Sequence, residues 1–427
     1  ITLISPHQAP GLYEAFGTED FDDLYLKYEA DKTIPKKTVP AQDLFGDLLK
    51  ERAETGRIYI MNLDHCNSHS SFKDKISMSN LCQEITLPTT PIQDIHDDQG
   101  EIALCILSAV NVGGLNDLGE LENICDLAVR ALEQIIDYQD YPVKAAEVST
   151  KKRRSLGIGY IGLAHYLAKH GVKYSDPKAW DLVDRLSEAF QYHLLRASCN
   201  IAMEKGKCEG FDRTKYADGQ LPIDHYKKDV DKIVPHKQRM AWESLRKDIA
   251  KHGLRHSTLS AQMPSESSSV VSNETNGIEP PRALLSIKKS KKGPLKQIAP
   301  GFPKLKNDYT LLWDMPSNEG YINVVAMMQK YFDQAISGNW SYNPTHFDNN
   351  EVPLSVMAND MLTAYKLGWK TSYYQNTYDF KGDDEDIQPA GLSSVIDTDD
   401  GEDVELPENL ISSDTDIEGE DCDACTI

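Results

Sequence analysis

Residues 79–84 read Ser79-Asn80-Leu81-Cys82-Gln83-Glu84, and 23 positions after Cys82 a second cysteine lies in Ala103-Leu104-Cys105-Ile106-Leu107-Ser108. The first segment places an amide two residues before a thiol and a carboxylate two residues after it. A thiol can exchange a hydrogen atom or form a disulfide, and a nearby carboxylate can accept a proton. The two segments therefore predict a radical thiol site in which Cys82 and Glu84 react, Asn80 hydrogen-bonds and Cys105 supplies reducing equivalents.

Each of these residues, taken alone, also has a simpler interpretation. Free cysteine is among the most buried residue types and packs as a small hydrophobic side chain. A lone Glu or Asn is equally compatible with the polar edge of a strand. The spacing by itself leaves both interpretations open, so the decision depends on the rest of the chain.

Length and cysteine content limit the class of protein. A chain of 427 residues predicts one large α/β unit or two domains. The first residues show no basic region followed by an apolar run, and no apolar stretch in the sequence reaches the length of a membrane-spanning helix. Eight cysteines are too few for a disulfide-stapled secreted fold of this length. We therefore expect a cytoplasmic protein with reduced thiols.

The formal net charge of −22 is concentrated at the carboxyl-terminal end. Residues 382–427 contain 17 Asp and Glu and no Lys or Arg, which leaves −5 for the residues before them. Such a segment cannot bury enough apolar surface to offset the entropy of ordering, so we predict a flexible acidic tail over 381–427. Its charge argues against direct binding to nucleic acid, because phosphates would repel it.

Apolar residues at helical spacing predict four helices in the remaining 1–380 domain. Pro40 before the first of them and Gly56 after it are typical of helix ends. Arg57–Met61 is predicted as a strand, and helices that alternate with short β-rich runs indicate an α/β fold with parallel strands. The predicted helices cover 41–55, 121–138, 163–170 and 181–205.

Three more motifs accompany Asn80-Leu81-Cys82-Gln83-Glu84: Pro264-Ser265-Glu266-Ser267-Ser268, the adjacent pair Tyr373-Tyr374, and Cys422 with Cys425. Together they resemble the large, catalytic subunit of class I ribonucleoside-diphosphate reductases. The resemblance runs from near residue 1 to about residue 379. It implies the carboxyl-terminal part of a ten-stranded α/β barrel, with the cysteine of the first motif on a finger loop at the barrel centre.

The resemblance also implies a role for each residue of the two opening segments. Cys82 would carry the thiyl radical that abstracts the 3′-hydrogen of the ribose. Glu84 would accept the proton of the 3′-hydroxyl, and Asn80 would hydrogen-bond to the ribose hydroxyls and steady the carboxylate. Cys105 would form a disulfide as the 2′-hydroxyl leaves, with a partner cysteine expected before Ile1.

The serine-rich motif follows the helix-breaking Pro264. By itself it is compatible with a solvated turn. The resemblance instead implies that these residues bind the substrate diphosphate, for which hydroxyls and free backbone N–H groups are suited. Glu279-Pro280-Pro281-Arg282 is expected to shape the rim of the site. The implied diphosphate ligands are Ser265, Glu266, Ser267 and Ser268.

Tyr373 and Tyr374 would point to opposite faces of a regular strand and serve only in packing. In the family such a pair transfers the radical between the small subunit and the active-site thiol. Cys422 and Cys425 resemble the tail dithiol that re-reduces the active site, although a spacing of two residues is tighter than the family pattern. Half of a zinc site is the alternative for this pair, but no second Cys or His pair lies nearby.

The family implies several partners. These are the amino-terminal half of the large subunit, which binds ATP and dNTP effectors, and a small subunit that holds the radical cofactor. Further partners are a ribonucleoside diphosphate and the reductants thioredoxin or glutaredoxin, whereas no cofactor, membrane or nucleic acid is expected to bind this chain. The chain is expected to be the carboxyl-terminal half of a subunit made in two pieces, or a fragment of a longer one.

Two other patterns resemble ligand sites. Gly157-Ile158-Gly159-Tyr160-Ile161-Gly162 matches a dinucleotide-binding fingerprint, but the basic residues 151–154 precede it where an apolar strand should run. His65-Cys66 and His69 lack a spaced second pair of ligands. We therefore predict neither a Rossmann site nor a metal.

Two other functions remain open from the sequence. One is a thiol-disulfide oxidoreductase that uses Cys422 and Cys425 alone. The other is a non-catalytic assembly module that docks the small subunit. Both differ from a reductase in having no need for Cys82.

Overall fold

The computed structural model describes residues 1–290 and 293–378 and shows a mixed α/β fold. The α-helices of this part are α1 (Leu12–Ala15), α2 (Phe21–Ala30), α3 (Ala41–Thr55), α4 (Leu63–Ser68), α5 (Leu121–Tyr138), α6 (Lys144–Arg153), α7 (Leu163–Lys169), α8 (Pro177–Lys205), α9 (Pro222–His225), α10 (Trp242–His252), α11 (Glu266–Val271), α12 (Glu319–Gln329) and α13 (Leu354–Lys366). The strands are β1 (Thr2–Ile4), β2 (Lys36–Thr38), β3 (Ile60–Met61), β4 (Ile106–Asn111), β5 (Leu156–Ile161), β6 (Leu285–Ser290), β7 (Gly293–Ile298), β8 (Trp340–Tyr342), β9 (Thr371–Ser372) and β10 (Gln375–Thr377). Short 3₁₀ helices lie at Pro6–Gln8, Leu118–Glu120, Glu209–Arg213, Lys215–Asp218, Lys228–Lys232, Leu312–Asp314, Pro344–His346 and Asp348–Asn350.

The predicted helices are confirmed, with small changes at two ends. Helices α3 and α5 have the predicted bounds, and Gly56 ends α3 in a left-handed conformation with φ of 70°. Helix α8 begins four residues before its predicted start, because Pro177 fits the first turn of a helix, where no backbone N–H is needed. Helix α7 ends at Lys169, one residue early.

The strand predicted over 57–61 is shorter in the structure. Only Ile60 and Met61 pair with β9, in antiparallel register. The backbone carbonyl of Ile58 accepts a hydrogen bond from the guanidinium of the fully buried Arg52. Because this carbonyl already accepts a hydrogen bond from a side chain, it does not need a partner on a neighbouring strand. The strand therefore begins only at Ile60.

A parallel array, formed by β4, β5 and the segments 258–262 and 334–337, lies at the centre of the fold. Strands β4 and β5 pair in parallel from Ile106↔Leu156 to Asn111↔Ile161. The segment 258–262 continues beside β5, and the segment 334–337 lies beside 258–262. In the described residues no closed barrel is present, because the named strands pair two at a time and the flanking segments join through single bridges. The α/β class is thus confirmed, while barrel closure is not seen.

The hydrophobic core lies between this array and the long helices. Tyr160 of β5 is fully buried and makes edge-to-face contacts with Phe190 of α8 and with Phe332 after α12, at centroid distances of 5.2 and 5.6 Å. Cys125 and Val129 of α5 are fully buried in the same cluster. This cysteine therefore fits the simple packing interpretation.

A network of buried charged residues links helix α5 to Arg154, which follows α6, and to the pair Arg255 and His256. Glu133 of α5 accepts hydrogen bonds from Arg154 (2.8 Å), Arg255 (2.8 Å) and His256 (3.0 Å). His256 also contacts Ser198, at 2.9 Å. The order serine, histidine, glutamate is that of a hydrolase triad, but all three residues are fully buried, and two arginines already occupy the carboxylate. The network is therefore structural.

We expect Glu133→Gln to destabilise the fold by about 3–5 kcal/mol, since it leaves buried cations without their counter-charge. Burial favours the protonated carboxyl, but the hydrogen bonds from His256, Arg154 and Arg255 lower the pKa of Glu133 to about 2. A group with a lowered pKa stabilises the native state above its unfolded pKa and loses that effect as the pH falls towards the folded value. The difference between wild type and variant should therefore shrink between pH 4.5 and 2.

Urea unfolding at several pH values measures this difference. Glu147→Gln is the matched control, because Glu147 pairs with Lys144 and Lys151 on the outer side of α6. The control should have a much smaller effect at every pH. An equal effect of the two substitutions would contradict a structural role for the buried network.

Candidate active site

The finger loop, residues 79–87, is irregular and is held by its own polar groups. The Asn80 side-chain oxygen accepts the backbone N–H of Ile85 at 3.0 Å, and Ser79 donates to the Ile85 carbonyl at 2.8 Å. Gln83 adopts a positive φ of 70°, which is unusual for a residue with a Cβ. The loop is therefore a tight turn that presents Cys82 and Glu84 from neighbouring positions.

Cys82 is partly exposed and lies between two hydroxyl-bearing residues. The Tyr373 hydroxyl lies 3.5 Å from the Cys82 sulfur, within hydrogen-bonding distance for a thiol. The Ser337 hydroxyl donates to the Cys82 backbone carbonyl at 2.5 Å. The structure thus brings Cys82 and Tyr373 together although 291 positions separate them in the sequence.

Glu84 is buried, with 2% of its surface exposed. Asn80 hydrogen-bonds to its carboxylate, and Ser337 donates to Oε2 at 3.3 Å. Burial raises the pKa of Glu84 above its ordinary value, and the hydrogen bonds from Asn80 and Ser337 oppose this shift. A carboxylate in such surroundings is a stronger base than one in water, which suits proton abstraction.

Cys105 precedes β4; the residue as a whole keeps some contact with solvent, but its thiol is surrounded by protein atoms. The side-chain amide of Gln334 donates to its sulfur at 3.4 Å. A Cβ on Gly157 would lie 2.8 Å from the same sulfur, so glycine leaves the space that the thiol occupies. Burial raises the pKa of Cys105 to about 12, the Gln334 hydrogen bond opposes this, and the charge of Glu84 adds to it. Cys105 therefore lies within electrostatic range of the finger loop.

Three tyrosine rings cluster next to Cys82. Tyr373 and Tyr374 lie between β9 and β10, and their ring centroids are 4.1 Å apart. Tyr59 contacts both rings, at 4.7 and 5.3 Å. The rings therefore do not point to opposite faces of a strand. Tyr59 was missed from the sequence, where its position in an apolar run gives no signal of this contact.

The serine-rich motif follows the 258–262 segment and forms the start of α11. Ser265 is buried, and its hydroxyl donates to the Met263 carbonyl at 3.2 Å. Glu266, Ser267 and Ser268 are exposed in the first turn of α11. The motif therefore presents the exposed residues Ser267 and Ser268 at the start of α11, while Ser265 anchors it.

The predicted rim connects to the tyrosine cluster through Asn339. The Asn339 amide donates to Glu279, and its side-chain oxygen accepts the backbone N–H of Tyr374 at 3.1 Å. Burial raises the pKa of Glu279 to about 7, while Asn339 and Arg282 oppose the shift. A cavity of about 370 Å³ opens beside this rim and does not reach Cys82 or Glu84; its lining includes Gly56, Arg282, Trp313, Gln375 and Tyr378.

The two other patterns noted in the sequence form parts of the fold. Gly157 and Gly159 lie inside the fully buried β5 rather than in a turn before a helix, so they do not form a dinucleotide loop. His65 and His69 contact the backbone carbonyls of Trp369 and Pro222. Within residues 1–290 and 293–378, no group of three or more His, Cys, Asp or Glu is arranged to hold a metal.

Two further findings concern the same described part of the chain. None of its helices combines the length and apolar character needed to cross a membrane. None of its six cysteines is in a disulfide. Cys422 and Cys425, together with the acidic tail predicted over 381–427, lie outside the described residues.

The family described as ribonucleotide reductase, barrel domain, matches residues 1–375. The chain belongs to the ribonucleotide reductase family. The α subunit of ribonucleoside-diphosphate reductase from Haemophilus influenzae is 56% identical over 89% of this chain and 51% of its own length. The corresponding proteins are 54% identical in Escherichia coli (92% of this chain, 53% of theirs) and 42% in phage T4 (90% and 52%).

The chain spans about half the length of these curated relatives of the ribonucleotide reductase family. The family assignment agrees with the predicted resemblance over 1–379. It also agrees with an α/β fold of the barrel type. The individual roles of the site residues stay predictions.

Proposed function

We propose that this chain provides the carboxyl-terminal half of the catalytic subunit of a class I ribonucleoside-diphosphate reductase, which makes deoxyribonucleotides for DNA synthesis. The observation that carries the proposal is the contact of Tyr373 with the Cys82 sulfur, next to the buried carboxylate of Glu84. A phenol, a thiol and a base in this order can pass a hydrogen atom and then a proton.

The proposed reaction begins at the tyrosines. An oxidised Tyr374 takes an electron and a proton from Tyr373, and the Tyr373 radical takes the hydrogen atom of the Cys82 thiol. The Cys82 thiyl radical then abstracts the 3′-hydrogen of the ribose, and Glu84 accepts the 3′-hydroxyl proton. Asn80 supports this step through its hydrogen bond to the carboxylate.

Reduction of the ribose follows at Cys105. Its thiol and a second thiol from outside this chain give two electrons and two protons, the 2′-hydroxyl leaves as water, and a disulfide forms. Cys422 and Cys425 exchange with that disulfide and are in turn reduced by thioredoxin or glutaredoxin. Residues 265–268 bind the substrate diphosphate through hydroxyl and backbone N–H groups.

The proposed partners are the amino-terminal half of the subunit, with its ATP and dNTP effector sites, and the small subunit with its radical cofactor. In this proposal residues 1–380 form the barrel portion and residues 381–427 the redox tail, and the protein works in the cytoplasm. The scheme pairs Cys105 with a thiol of the amino-terminal half, so in this proposal turnover needs that polypeptide as well as this chain.

A reconstitution assay tests the proposal. The chain, a matching amino-terminal half, the small subunit and dithiothreitol are mixed with a labelled ribonucleoside diphosphate, and each protein is omitted in turn. We expect deoxyribonucleoside diphosphate only from the complete mixture. Absence of product from the complete mixture, while a full-length relative is active in the same assay, would overturn the proposal, as would product formed without this chain.

A further inference from the structure

The segment 334–339 contacts the finger loop, Cys105 and the tyrosine cluster of the candidate site. The Ala335 N–H donates to the Glu84 carbonyl at 3.0 Å, and Ser337 donates to Cys82 and Glu84. The Tyr373 N–H donates to the Gly338 carbonyl at 2.9 Å. The segment thus lies between the finger loop and the tyrosine cluster and hydrogen-bonds to both.

Gln334, at the start of this segment, uses both ends of its side-chain amide. Its Nε2 group donates to the Cys105 sulfur at 3.4 Å and to the Leu156 carbonyl at 3.0 Å. Its Oε1 atom accepts the backbone N–H of Thr86, in the finger loop, at 3.2 Å. One fully buried side chain therefore connects the Cys105 thiol to the loop that carries Cys82.

The backbone at Gln334 is itself held by two neighbours, Lys370 and Ser260. The buried Lys370 ammonium donates to the carbonyls of Phe332, Asp333 and Gln334, at 3.2, 2.7 and 2.9 Å. The Gln334 N–H donates to Ser260 at 3.0 Å. The amide is thus presented to the sulfur from a rigid position, and little entropy is lost when the hydrogen bond forms.

We propose that Gln334 is a positioning residue that favours the thiolate of Cys105 and holds that thiol in register with the finger loop. The inference rests on the proposed function, in which Cys105 must become a nucleophile or a leaving group in disulfide exchange. A hydrogen bond donated to a charged acceptor is stronger than one donated to a neutral acceptor. The Gln334 amide therefore stabilises the thiolate more than the thiol.

Alkylation of Cys105 tests the first half of this role without any need for turnover. The full chain is treated with iodoacetamide from pH 7 to 10, and the modification of Cys105 is followed by mass spectrometry. We expect Gln334→Met, which keeps the length of the side chain but cannot donate, to lower the alkylation rate at pH 8 about tenfold, since the thiolate is the reactive form.

Hydrogen exchange tests the second half. Gln334→Met removes the acceptor of the Thr86 N–H, so exchange at this amide should become faster. Gln334→Glu keeps an oxygen for Thr86 but places a negative charge beside the sulfur, so Thr86 should stay protected while Cys105 alkylation is slowed. The two substitutions thus separate the two contacts.

Gln262→Met is the matched control. Gln262 is a buried amide of the same array, and its hydrogen bonds go to backbone groups of Tyr160 and Met263 rather than to sulfur. It should leave the pH profile of Cys105 alkylation unchanged. A second variant, Gly157→Ala, displaces the sulfur from the amide by steric contact and should slow alkylation even if Gln334→Met fails to fold.

Unchanged or faster alkylation in both Gln334→Met and Gly157→Ala would overturn the inference. The same holds if Gln262→Met slows alkylation as much as Gln334→Met does. Because these measurements use the chain alone, their failure is independent of the reconstitution assay. A reductase that is active with an unaffected Cys105 would refute only the role of Gln334.

Discussion

Replacing Cys82 by serine is expected to abolish ribonucleotide reduction in the reconstituted enzyme, to below about 0.1% of wild type, a factor that a barrier increase of about 4 kcal/mol produces. Serine has the shape of cysteine, but its O–H bond is stronger than an S–H bond. Serine therefore cannot transfer its hydrogen atom to a Tyr373 radical. In the structure the Tyr373 oxygen lies 3.5 Å from the Cys82 sulfur. The measurement is the formation of deoxyribonucleoside diphosphate under saturating substrate.

The control for this substitution is Cys125→Ser. Cys125 is fully buried in the core, with its sulfur directed at the Phe190 carbonyl, so the exchange affects packing and not the site. We expect this variant to lose stability but to keep turnover per folded molecule. Turnover by Cys82→Ser at the level of the control would favour a tail thiol-disulfide oxidoreductase or an assembly module instead.

Substrate binding separates chemistry from folding in the Cys82→Ser variant. The proposed diphosphate ligands, residues 265–268, belong to another segment and do not depend on the sulfur. The variant should therefore bind a ribonucleoside diphosphate with the affinity of wild type. Loss of binding together with turnover would indicate a folding defect rather than a missing hydrogen-atom donor.

Local patterns predicted four of the thirteen α-helices in the described residues, with bounds close to those observed, and predicted the strands poorly. Helices α3 and α5 depend on apolar periodicity and on residues at their own ends, such as Gly56, and both are in the sequence. The start of β3 depends on Arg52, whose guanidinium hydrogen-bonds to the Ile58 carbonyl. In a longer strand this carbonyl would bond to a neighbouring strand instead. Strand ends therefore depended on a tertiary contact that no local pattern shows.

The candidate site, like the fold, was predicted only in part from local patterns. Cys82, Glu84 and the tyrosine pair were predicted because they lie in compact motifs that resemble those of a known family. Ser337, Gln334 and Tyr59 were missed, although Ser337 and Gln334 contact those motifs through hydrogen bonds and Tyr59 through its ring. Glu84 and Ser337 are 253 positions apart, so only the fold brings them together.

Burial and hydrogen bonding act in opposite directions on the pKa values of Glu84 and Cys105, the two acidic groups that are proposed to react. Burial raises the pKa of Glu84 and brings that of Cys105 to about 12, which disfavours their anions. Ser337 and Gln334, three residues apart in one segment, each oppose the effect at one of the two groups. One segment of the array therefore contacts both the proposed base and the proposed redox thiol.

Tyr373→Phe is expected to reduce turnover as completely as Cys82→Ser, again below about 0.1% of wild type. Phenylalanine keeps the ring contacts with Tyr374 and Tyr59, at 4.1 and 4.7 Å, but lacks the hydroxyl that gives and receives the hydrogen atom. The fold, substrate binding and the alkylation of Cys105 should therefore be unchanged while deoxyribonucleotide formation stops.

Tyr342→Phe is the matched control for the loss of a phenol. Its hydroxyl donates to Asp360 at 3.1 Å, so its removal costs stability without touching the cysteines. We expect turnover per folded molecule to remain close to wild type in this control. If Tyr373→Phe also retained turnover, the radical would have to reach Cys82 without Tyr373, and the contact between the phenol and the sulfur would be only packing.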